Sequence, residues 1–198
     1  SLVGGMIKGK YDYRVFKYTL HFDDLPDAFD GYQITQFSDL HSGSFDNSKK
    51  VQYGIDMINE QQSDAVFFTG DLVNTFASEF TGWQGQFKNI KAKDGVYSIL
   101  GNHDYGDYHS WDTPTAKKVN FRNILQWHEE MGWHLLMNEN TSIRRGGDEM
   151  KIIGVENWGS GRFKKNGDLD LATRDINPKD FKILLSHDPS HWNSIAKN

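Results

Sequence analysis

Val96-Tyr97-Ser98-Ile99-Leu100-Gly101-Asn102-His103-Asp104 is an apolar run that breaks at a glycine into three side chains able to bind a metal or move a proton. The run reads as a buried β-strand, and the break as the loop it delivers. The same arrangement recurs along the chain. Tyr32 to Phe37 leads into Ser38-Asp39-Leu40-His41, Asp64 to Thr69 into Gly70-Asp71-Leu72, and Lys179 to Leu185 into Ser186-His187-Asp188. Strands that all end in polar loops place those loops on one edge of a sheet, the edge where open α/β sheets carry their sites. The side chains offered are Asp, Asn and His with no thiolate, a set that suits Mn, Fe or Zn.

Between these strands the pattern is helical. Asp46-Asn47-Ser48 offers N-caps for a helix to about Gln62, with Val51, Ile55 and Ile58 on one face. Thr113-Pro114 opens another that ends near Met131-Gly132, with Phe121, Ile124, Leu125 and His128 on one face. Phe76 to Lys91 also reads as helical, although Gly82 and Gly85 interrupt it. Tyr11 to Phe22 alternates as a strand does. Trp133 to Met137, Thr141 to Arg145 and Glu149 to Val155 read as further strands, the last two joined by a Gly146-Gly147 turn. Asp168 to Asp175 reads as a short helix. Strands alternating with helices and then a meander argue an α/β fold with a mixed sheet or two packed sheets.

The chain has 198 residues, 37% of them hydrophobic, which is enough for one domain with a sizeable core. We therefore expect a single domain over 1–198. There are no cysteines, so disulfides and thiol catalysis are excluded. A formal charge of −5 argues against long nucleic acid as a partner. No apolar run approaches the length of a membrane span.

D-x-H at Asp39 to His41, G-D at Gly70-Asp71, G-N-H-D at Gly101 to Asp104 and a later His187, in this order, resemble the calcineurin-like metallophosphoesterases. The resemblance covers about Tyr32 to Pro189. The wording around Ser38 to Gly43 and Gly101 to Asp107 is similar to a bacterial subgroup often tethered to the membrane by an amino-terminal segment. The resemblance implies a four-layer sandwich of two mixed β-sheets flanked by helices. It implies two divalent ions, with Asp71 bridging them, Asp39 and His41 on one, and Asn102 and His187 on the other. It leaves His103 as the acid–base group at the reacting phosphoryl, with Asp104 expected to fix its tautomer. The implied reaction is hydrolysis of a phosphodiester, phosphomonoester or pyrophosphate, on a small substrate that membrane-tethered relatives make a candidate for lipid linkage. Any membrane attachment would lie outside this chain, and the compartment is left open. The family closes its site with a Gly-His-x-His that this sequence does not contain. We therefore expect a domain lacking its carboxy-terminal portion, with weak metal binding and little activity by itself.

Taken one at a time, these residues have plain structural readings. Asp39 and Asp71 can cap helices, Asn102 can sit in a turn, and His187 can start a helix. The ordered set favours the metal site. His128, on an apolar helix face, reads as a packing residue. His109 and His191 lie near the site loops. Tyr105, Tyr108, Trp111 and Trp158 are candidates to line a pocket, Arg162 to contact phosphate, and Glu156-Asn157 to support the site. Lys49-Lys50, Lys117-Lys118, Arg144-Arg145 and Lys164-Lys165 read as solvated faces. The competing reading is a non-catalytic binding or scaffold domain that retains part of the site.

Overall fold

The computed structural model describes residues 9–159 and 165–195. Ile34–Phe37 (β1), Ala65–Phe68 (β2), Val96–Ser98 (β3) and His134–Leu135 (β4) form one sheet in that order, every pair parallel. Glu139–Arg145 (β5), Asp148–Gly154 (β6) and Phe181–Leu185 (β7) form a second, in which β5 and β6 are antiparallel and β6 and β7 parallel. The fold is thus α/β with two sheets, the first parallel and the second mixed. The helices are Ser48–Glu60 (α1), Gln84–Phe87 (α2), Pro114–Met131 (α3), Leu169–Ala172 (α4) and Trp192–Ile195 (α5).

The period-2 alternation of the strands sorts their side chains into separate cores. Val66, Phe68 and Val96 point to one side of the first sheet and pack with Val51 and Ile55 of α1 and Ile124 of α3. Ala65, Phe67, Tyr97 and Ile99 point to the other side and meet Ile143, Met150, Ile152 and Leu185 of the second sheet. Ile153 and Leu184 leave the far side of that sheet to pack with Leu169 and Ala172 of α4. The result is four layers: helix, sheet, sheet, helix. Strand β2 is buried at every residue, which explains its unbroken Ala-Val-Phe-Phe run.

Local chemistry fixes the boundaries. The Asn47 side chain accepts from Lys50 N at the start of α1, and the Thr113 hydroxyl from Ala116 N at the start of α3. Helix α3 stops at Gly132, whose φ of 73° closes the last turn. The β5–β6 turn uses Gly146 and Gly147 at φ 58° and 94°, the handedness a tight hairpin requires.

Two expected elements differ. Tyr11 to Phe22 is not a strand: a 3-10 turn at Gly9–Tyr11 is followed by chain without regular structure. Phe16, Tyr18, Leu20 and Phe22 are exposed along it, and Phe22 meets the second sheet, ring to ring with Phe181 of β7 at 5.4 Å. Alternation alone does not make a strand, because the ladder needs a partner. Phe76 to Lys91 is a 3-10 turn at Ala77–Phe80 and the short α2, parted by Gly82 at φ 91°.

Candidate metal centre

The loops after β1, β2 and β3 are joined backbone to backbone. Asp39 N donates to Gly70 O at 2.9 Å, His41 N to Asp71 O at 3.1 Å, and Ser42 N to Leu72 O at 3.1 Å. A Cβ on Gly70 would collide with the backbone of Gly101, and one on Gly101 with Asp71. Glycine at both positions lets the β2 and β3 loops touch. Asp39, His41 and Asp71 all sit in the left-handed region, at φ 55°, 44° and 60°. Such backbone persists where its surroundings hold it in place.

These loops converge on Asp71. Its carboxylate is buried, with Oδ2 3.5 Å from His41 Nε2 and 3.4 Å from His187 Nε2. Its Oδ1 accepts from His103 N at 2.9 Å. Asp39 Oδ1 lies 3.8 Å from His41 Nε2. Asp39, Asp71 and His187 each offer a ligand atom within 4.8 Å of the others, and so do His41, Asp71 and His103. Asp71 is common to both groups. Two overlapping groups of Asp and His donors thus share one carboxylate, a donor chemistry that suits divalent ions.

Two of the imidazoles are oriented by backbone carbonyls. His187 Nδ1 donates to Thr69 O at 2.8 Å, which leaves Nε2 facing Asp71 and, at 3.0 Å, Asn102 Oδ1. A backbone carbonyl on the remote nitrogen is a common way to orient a metal-binding His. His103 Nδ1 donates to Asn74 O at 2.7 Å. Burial pulls the His187 pKa down, but the hydrogen bond and charge of Asp71 lift it to about 9. Burial pushes Asp71 up, yet the hydrogen bond and charge of His187 leave it below its ordinary value.

Asp104 has a different role from the one expected of it. It is fully buried, and its carboxylate accepts from the main-chain N–H groups of Asp71, Leu72, Val73 and Gly101 at 2.8–3.3 Å. Burial and the charge of Asp71 lift its pKa to about 7, against these donors, which favour the anion. The tautomer of His103 is set by Asn74, not by its neighbour in sequence. Asp104 turns inward and ties the β2 loop to the β3 loop.

Among the other candidates, Tyr108 reaches the centre. Its hydroxyl accepts from Asn102 Nδ2, and its ring stacks on His103 at 4.4 Å. Tyr105 donates its hydroxyl to Glu156, which also accepts from Asn138 Nδ2, so the β3 loop is braced on the end of β6. His109 and Trp111 pack on Phe76. His128 is a core residue bonded to Ser98. His191 is buried, stacked on Trp158 and bonded to Ser186. Arg145 is no solvated charge, for it pairs with Asp64 at 2.9 Å and Asp94 at 3.1 Å. Lys165 lies 3.6 Å from the centre of the Trp158 ring. Arg162 and Lys164 lie outside the described residues. The sequence signal for Thr69 and Asn74 was absent, since each acts through a backbone carbonyl that any residue would supply.

Residues 32–198 match the family described as calcineurin-like phosphoesterase. The chain belongs to the calcineurin-like phosphoesterases. Its relatives include the uncharacterized metallophosphoesterase YkoQ of Bacillus subtilis, 25% identical over 170 residues that cover 85% of this chain and 57% of that one. A transmembrane protein with metallophosphoesterase domain from Danio rerio is 24% identical over 94% of this chain and 42% of its own. An uncharacterized metallophosphoesterase of Helicobacter pylori is 26% identical over 84% of this chain and 41% of its own. The chain therefore spans about half the length of the curated relatives it matches. Among solved structures, the NAD nucleotidase NadN of Haemophilus influenzae superimposes with a TM-score of 0.53 at 16% identity, over 83% of this chain and 36% of that one. That likeness shows the fold. Among the described residues of this calcineurin-like phosphoesterase, no helix is long and apolar enough to cross a membrane.

Proposed function

We propose that this calcineurin-like phosphoesterase chain carries a two-metal centre for phosphoester hydrolysis. The observation that carries the reading is the Asp71 carboxylate, buried between His41 and His187 at 3.5 and 3.4 Å and shared by two donor groups. In this reading Asp71 would serve both of two divalent ions, Mn, Fe or Zn, whose charge it would help to hold in place. By family resemblance Asp39 and His41 would serve one ion and Asn102 and His187 the other, whereas the two donor groups of the structure set Asp39 beside His187 and His41 beside His103. When bound, such ions acidify a water and neutralise charge on phosphoryl oxygens.

The chain's own residues do the rest. His103 is held by its Nδ1–H on the Asn74 carbonyl, so Nε2 is the atom left for substrate. The ring lies 4.7 Å from that of His41, edge to face, and is thereby kept beside the centre. In the doubly protonated ring Nε2–H donates to a phosphoryl oxygen or gives its proton to the departing alkoxide, leaving the neutral ring with Nδ1–H still on Asn74. Asp104 stays out of the chemistry and keeps the loops in register. The substrate class is a small phosphodiester, phosphomonoester or pyrophosphate. Relatives named as transmembrane proteins support a membrane-associated parent protein.

Metal analysis of the full-length protein and its Asp71→Ala variant, with turnover of a chromogenic phosphodiester, tests the reading. We expect bound Mn and activity in the first and loss of both in the second. Equal metal content in the two overturns the bridging role.

A further inference from the structure

We propose that Tyr108 is a positioning residue: its hydroxyl fixes the Asn102 side chain with the amide oxygen turned toward the metal centre. The inference rests on the metal site proposed above.

A carboxamide has only one end that can bind a cation. Its oxygen carries lone pairs, whereas its NH2 group only donates. The two ends are nearly equal in size, so packing hardly distinguishes them, and hydrogen-bond partners must decide which end faces inward. Asn102 has one partner on each side. Oδ1 lies 3.0 Å from His187 Nε2, and Nδ2 donates to the Tyr108 hydroxyl.

The two partners are not equivalent once a cation is present. His187 Nε2 is itself a ligand atom, and a nitrogen whose lone pair is given to a metal carries no hydrogen to donate. Its bond to Asn102 is then lost. The Tyr108 bond involves no ligand atom and survives. Tyr108 is thus the partner that still holds the NH2 group outward while Oδ1 binds. Its ring is fixed independently by stacking on His103 at 4.4 Å with planes 28° apart. The hydroxyl is therefore placed by a contact that does not depend on Asn102.

The test is a pair of Mn2+ titrations by calorimetry on the full-length protein, in two backgrounds. Tyr108→Phe keeps the ring and removes the hydroxyl. Tyr108 is 48% exposed, so the substitution leaves the core intact. Partners that orient metal ligands are commonly worth about 10–100-fold in affinity, and we expect Tyr108→Phe to weaken Mn2+ binding by about 10-fold. Asn102→Asp supplies oxygen at both ends of the side chain, so no orientation needs to be chosen. In that background we expect Tyr108→Phe to change Mn2+ affinity little. Wild-type affinity in Tyr108→Phe overturns the inference alone. An equal loss in both backgrounds also overturns it, because Tyr108 then acts through general structure. No Mn2+ binding by the unmutated protein overturns the metal site and this inference with it.

Discussion

The main-chain N–H of Asp71 donates to the carboxylate of Asp104 at 2.9 Å, across 33 residues of sequence. The same Asp104 oxygen accepts Gly101 N, next to Asn102. One buried side chain therefore sets the spacing between the loops that carry Asp71 and Asn102.

Asp104→Ala leaves the N–H groups of residues 71, 72, 73 and 101 without this acceptor in a dry interior. An unsatisfied buried donor costs about 1–3 kcal/mol, so we expect a loss of at least about 3 kcal/mol in urea unfolding, together with loss of metal. A variant as stable as the wild type would show that the loops hold themselves together.

His103→Ala should act in the opposite way. Its ring is partly exposed and its N–H to Asp71 belongs to the backbone, which alanine retains. We expect unchanged stability and metal content, and turnover lower by about 10²–10⁴-fold on a substrate with a poor leaving group. Substrates with a good leaving group should lose less. Unchanged turnover on the poor leaving group would remove His103 from the mechanism.

Asp39→Gly separates binding from folding at a strained position. Asp39 sits at φ 55° with its side chain 58% exposed. Glycine accepts that backbone without penalty, which offsets its greater freedom in the unfolded chain. We expect thermal stability of the metal-free protein to stay within about 0.5 kcal/mol of wild type or to rise, while Mn2+ affinity falls. A clear drop in melting temperature would mean that Asp39 supports the fold.

Asp64 provides the acid sensitivity. Burial pushes its pKa up, but hydrogen bonds from Arg145, Gln33 N and Lys93 hold it at about 2. An unfolded Asp titrates near 3.9, so the native state binds its proton less readily. The stabilisation is complete above about pH 4 and is lost as pH falls through about 2. Arg145→Met should lower stability at pH 7 and flatten the decline between pH 4 and 2 in urea unfolding. Parallel curves for the two proteins would assign the acid sensitivity elsewhere.

These contrasts show what the sequence made legible. The strand ends at Asp39, Asp71, Asn102 and His187 were readable because an apolar run and the polar residue after it are local signals. Helix α3 was readable from Thr113-Pro114 to Gly132 for the same reason. The roles of Asp104, Thr69, Asn74 and Arg145 depend on contacts between segments far apart in sequence. Asp104 is the clearest case, because adjacency to His103 pointed to the wrong partner. Tyr11 to Phe22 fails for a related reason: its alternation is local, but a strand exists only through its neighbour.

That segment has a practical consequence. Phe16, Tyr18, Leu20 and Phe22 alternate with Lys17, Thr19 and His21, and the four apolar side chains are 51–83% exposed. Among the described residues, none from 13 to 21 forms a backbone hydrogen bond. An apolar face combined with free backbone groups is adhesive toward any other polypeptide. In concentrated solution the protein should behave as a colloid with one sticky edge, its scattering rising faster than concentration. Phe16→Lys together with Tyr18→Lys should restore ideal behaviour.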